Sequence, residues 1–114
     1  MKTTDSPATS ARLAAVNREA MAHYQQMRAM VMPAPGVDPA TCETMLVMQL
    51  AVLGFEIPFK VHAMRAMALA VSKEHLQQLV LAGLGATLIA PQAGCALAWL
   101  DEAYEESQQA AAAR

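Results

Sequence analysis

Aromatic residues are scarce in this chain. Two Phe, two Tyr and one Trp make up 4% of its 114 residues. Strand-like alternation of apolar and polar residues is absent too, so helices are expected. Charge is also short, at 16% against the roughly 25% of an average domain. The net charge is −2 and the eight basic residues are scattered, so no cationic footprint for nucleic acid is present. Only two cysteines occur, Cys42 and Cys95, far apart and in no CxxC pair. That rules out a disulfide scaffold and favours reduced thiols. No run of ~18 apolar residues is free of polar interruption. The longest candidate, residues 76–100, is broken by Gln77, Gln78, Pro91 and Gln92, so no membrane span is expected. The start, "MKTTDSPATSARLAAV", carries no apolar core of signal-peptide type. A cytoplasmic location is the expectation.

What is present is apolar and helix-forming. Apolar residues reach 55%, with nine Met and abundant Ala. One domain of this length struggles to bury so much apolar surface, which points to self-association. Caps and breakers divide the chain into five expected helices and an all-α domain spanning residues 1–114. The first runs over 7–32, with Ser6 as its cap and Pro7 at its first position. "PAPG" at 33–36 ends it. The second opens at Asp38-Pro39 and stops at Gly54. The third covers roughly 58–70. The fourth starts at Ser72 and carries Leu76, Leu79, Val80, Gly83 and Leu84 as its apolar positions. The fifth starts at Pro91, and "EESQQAAAAR" after it reads as a fraying tail. Met21, Met27, Met30, Met45, Met48, Met64 and Met67 fall on or beside apolar faces, as adaptable packing residues.

Two side chains stand out as candidates for chemistry. Glu43 lies early in the second helix and His62 lies in the third. If those helices pair antiparallel, a carboxylate meets an imidazole and fixes its orientation. Such a pair suits general acid–base catalysis. The same histidine also reads as an ordinary hydrogen-bonded core or interface residue, and spacing alone does not separate the two. Arg65 follows His62 by three residues and can share its face. It is a candidate for holding a substrate carboxylate through two hydrogen bonds, or else a solvated ion pair. Lys60 reads as a surface residue. His23 and His75 carry no further signal, and Trp99 and Tyr104 read as packing residues.

Residues 37–104 resemble the carboxymuconolactone decarboxylase family, which includes the AhpD-like alkylhydroperoxidases. The resemblance rests on "VDPATCE" before the second helix, on Glu43 nineteen residues before His62, and on "HAMRAMALAVSKEHL" after it. "APQAGCAL" resembles a further segment of the family. The resemblance implies a compact helical fold of about five to six helices that assembles as homotrimers or homohexamers. The peroxidase branch places a CxxC where Phe55 and Pro58 stand here, so its thiol chemistry is excluded. The decarboxylase branch lacks that CxxC, and "GFEIPFKVH" resembles its corresponding segment. The resemblance therefore implies a cofactor-free lyase of aromatic-compound catabolism, with no metal, acting on a small acid or lactone. His62 would be its acid/base and Glu43 the neighbour of that histidine. Departures at Cys42, Ala70, Thr87 and Ile89 imply a different pocket lining, or a member that keeps the fold without the reaction.

Overall fold

The computed structural model describes residues 9–113. Among these residues the chain is all-α, with six helices. They are α1 (Thr9–Val16), α2 (Arg18–Val31), α3 (Pro39–Leu53), α4 (Glu56–Ala68), α5 (Lys73–Ala82) and α6 (Ala90–Ala112). Contacts divide the chain into two units, Met1–Gly36 and Val37–Arg114. The expected helix over 7–32 is therefore two helices. The break falls at Asn17, whose backbone is extended (φ −154°, ψ 94°) and whose side chain accepts the Ala20 N–H at 3.0 Å. An Asn side chain competes with the backbone for such donors, and here it starts a new helix inside a helix-forming run. Ser6 and Pro7 lie outside the described residues.

The second unit follows its caps closely. The Asp38 carboxylate accepts the Thr41 N–H, and Pro39 occupies the first turn, where no N–H is needed. Gly54 ends α3 in the left-handed region (φ 76°), which a residue without a Cβ adopts without strain. The Ser72 hydroxyl accepts the His75 N–H to open α5. Ala70 closes α4 at φ 72°, within a Schellman arrangement in which Val71 N–H donates to the Ala66 carbonyl. Three expectations shift. α4 begins at Glu56, so Pro58 sits third in the first turn. α5 ends at Ala82, which puts Gly83 and Leu84 in the turn after it. The C-terminal stretch is not frayed: α6 runs to Ala112, because Ala, Glu and Gln are strong helix formers.

The core of this unit draws on all four of its helices. Val47 and Ala51 come from α3; Phe59, Ala63 and Ala66 from α4; Leu76 and Val80 from α5; Ala93, Ala96, Leu100 and Ala103 from α6. α4 packs against both α3 and α6, and α5 packs on α6. The buried alanines leave little side chain between helices, so their axes can approach closely. Phe59, Val47, Leu76, Val80 and Leu100 are fully buried, and each contributes about 1.5–3 kcal/mol by leaving water. Trp99 meets Phe59 edge-on, with centroids 5.5 Å apart. Met48, Met64 and Met67 pack on the margin of the core, whereas Met27, Met30 and Met45 are exposed.

Candidate acid–base site

Glu43 and His62 reach each other through the α3–α4 hairpin. Two residues, Gly54 and Phe55, connect these helices, and so short a link folds them back side by side. The core residues Val47 and Ala51 of α3, and Phe59, Ala63 and Ala66 of α4, fix the register of the pair. In that register His62 Nδ1 lies 2.7 Å from Glu43 Oε1. The two residues are nineteen apart in sequence, so only the hairpin brings them together.

The pair is shielded but not sealed. The Glu43 side chain is 11% exposed and that of His62 is 19% exposed. A carboxylate this buried requires a donor, and the imidazole is the partner it has. An ionised carboxylate only accepts, so the ring nitrogen facing it donates. With Glu43 ionised, Nδ1 carries a proton, and in the neutral ring Nε2 is left as the basic nitrogen. The same contact restricts rotation of the ring. The arrangement can take up a proton at Nε2 and return it, with Glu43 balancing the charge of the imidazolium.

The third predicted site residue stands apart. Arg65 is exposed on α4, and no hydrogen bond or ion pair joins it to Glu43 or His62. Phe55 and Pro58 are exposed at the start of α4. Cys42 is buried on α3 and Cys95 exposed on α6, both as thiols. Among the described residues no cluster of His, Cys, Asp and Glu forms a metal-binding group. No helix there is long and apolar enough to cross a membrane. A concavity of about 410 Å³ opens beside the N-terminal turns of α3, lined by Ala40, Thr41, Thr44, Met45, Val71 and His75. A second, of about 290 Å³, lies over Ala51, Gly54, Pro91, Gln92, Cys95 and Trp99. Neither has Glu43 or His62 in its wall.

Lys60 proves more than a surface residue. Its ammonium lies 2.9 Å from Glu102 on α6 and 2.9 Å from Glu56 one turn earlier. The hydrogen bond that Lys60 donates to Glu102, then the one it donates to Glu56, holds its ammonium above its ordinary range, against a smaller opposing effect of burial. The i,i+4 spacing of Glu56 and Lys60 was the available signal in the sequence. The Glu102 partner was invisible without the fold. Lys73 makes a similar tie, 3.3 Å from Asp101 and 4.7 Å above the Tyr104 ring. These ties fasten α4 and α5 to α6 and so brace the helix that carries His62. Comparison with models of known families, with curated proteins and with solved structures gives no match for this chain.

Proposed function

We propose that the chain is a cofactor-free acid–base enzyme resembling carboxymuconolactone decarboxylases, acting on a small carboxylated or lactone substrate. The observation that carries this reading is the 2.7 Å contact between His62 Nδ1 and Glu43 Oε1. Decarboxylation breaks a C–C bond and leaves its electron pair on the substrate, where a conjugated carbonyl or lactone delocalises it. The imidazolium then delivers its Nε2 proton to carbon. Isomerisation uses the same nitrogen twice, first as base and then as acid. Arg65, one turn further along α4, holds the substrate carboxylate from the solvent side. The active form in this reading is a homo-oligomer, a trimer or hexamer, in the cytoplasm.

The test is turnover of small unsaturated lactone-acids by the purified chain and its variants. His62→Ala is expected to fold with unchanged helicity and to lose turnover by about 10²-fold or more. Unchanged turnover removes the imidazole from the reaction. A second reading is an oligomer that keeps the fold and has lost the reaction. The observation favouring it is that neither concavity described above includes the dyad. Failure of the wild-type chain to turn over any such substrate, with no small acid co-purifying, selects this second reading.

A further inference from the structure

The two units of the chain differ in charge and share an unmet need for apolar cover. Residues 1–36 hold four basic and two acidic residues, a net +2. Residues 37–114 hold four basic and eight acidic residues, a net −4. On α2, Ala20, Tyr24, Met27 and Val31 follow a 4-3-4 spacing, the register of a helix seam that packs on another surface. Tyr24, Met27, Met30 and Val31 are all exposed. Met21 is the one buried residue of α1 and α2. A segment this short rarely stabilises itself without outside contacts. On the second unit the α3–α4 turn concentrates Val52, Leu53, Phe55, Ile57 and Val61, again all exposed. That patch ends one residue before His62.

We propose that α2 of one copy docks, as a basic apolar arm, on the 52–61 patch of a second copy of this chain. This deepens the oligomer reading given above and rests on it. Charge chooses the occupant. Two arms carry the same sign and repel, so charge favours the acidic unit over a second arm as the surface that α2 meets. At roughly 100 Å² of exposed surface per large side chain, the nine residues of arm and patch present about 900 Å², close to the smallest specific interfaces. The contact is head-to-tail, so in a closed assembly every copy gives one arm and receives one. The docked arm also roofs the surface next to His62.

Charge-reversed variants of the full chain test this by analytical ultracentrifugation. Met27→Glu with Met30→Glu alters the arm, and Leu53→Lys with Phe55→Lys alters the patch. All four positions are exposed, and circular dichroism checks that helicity is kept. If either variant misfolds, the same positions changed to Ala replace it. Each variant alone is expected to associate about tenfold or more weakly than wild type. An equimolar mixture of the two is expected to form heterodimers, because one contact then pairs an intact arm with an intact patch. Wild-type association by either variant alone overturns the proposal while leaving the oligomer reading in place, and so does a mixture that stays dissociated. A wild-type chain that is monomeric at every concentration overturns both.

Discussion

α2 and α4 are helices of similar length, 14 and 13 residues, and they are held in opposite ways. α4 buries Phe59, Ala63 and Ala66 completely, is pinned to α6 by Lys60, and carries His62 against Glu43. α2 buries Met21 and leaves its other large apolar residues in water. The more amphipathic of the two, α2, is the less buried, so amphipathicity does not explain the difference. The difference lies in what each helix meets. A site that must hold two side chains at 2.7 Å needs the first kind of helix. The second kind is suited to recognition, because its free energy of burial is still available for binding.

The largest expected effect comes from removing the ring at the centre of the fixed region. Phe59→Ala is expected to cost about 3–5 kcal/mol, because Trp99 and the surrounding alanines cannot collapse into the space. Met27→Ala on α2, measured by urea unfolding at low protein concentration, is expected to change stability by less than about 1 kcal/mol. Equal costs would erase the distinction between the two helices.

The caps give a smaller contrast. Asp38→Ala is expected to lose about 1 kcal/mol, since it leaves the first turn of α3 without its acceptor. Asn17→Ala is expected to cost less and to raise helicity by circular dichroism, because Ala lets α1 run into α2. A larger loss at Asn17 than at Asp38 would show that the bend itself is under structural demand.

The smallest effect is at alkaline pH. The folded-state pKa of Lys60 lies above its ordinary value of 10.5. Its ion pairs therefore stabilise fully below that value, and the contribution fades as pH rises through the folded pKa. Glu102→Gln is expected to flatten this alkaline decline in unfolding experiments between pH 9 and pH 12, with little change at pH 7. An unaltered slope would mean that the tie between α4 and α6 carries no stability.

The same contrast explains what could be read from the sequence. Asp38, Gly54 and Ser72 are strong local signals, and the helix ends they set fall where local chemistry puts them. The start of α4 was harder, because Pro is tolerated anywhere in a first turn and Pro58 occupies its third position rather than its first. The break at Asn17 was hidden, because one capping residue competes with a long run of helix formers on nearly equal terms. At the tail, the helical preference of Ala and Glu outweighed the polar composition that suggested fraying. Glu43 and His62 were legible as candidates, through residue type and their places on successive helices. Their contact was not, because it depends on the register that Val47, Ala51, Phe59 and Ala63 set in three dimensions. The Lys60–Glu102 tie spans 42 residues, and no local rule reaches that far.

The claim that Glu43 holds His62 ready for proton transfer is tested most directly by the ring itself. Nitrogen-15 NMR of the histidines near neutral pH distinguishes a protonated from an unprotonated ring nitrogen, with exposed His23 and His75 as internal references. The neutral His62 ring is expected to carry its proton on Nδ1 and to leave Nε2 bare, and Glu43→Leu is expected to shift it toward the tautomer of the exposed histidines. A neutral ring protonated on Nε2 alone in the wild-type chain, or a spectrum unchanged by Glu43→Leu, would contradict the account.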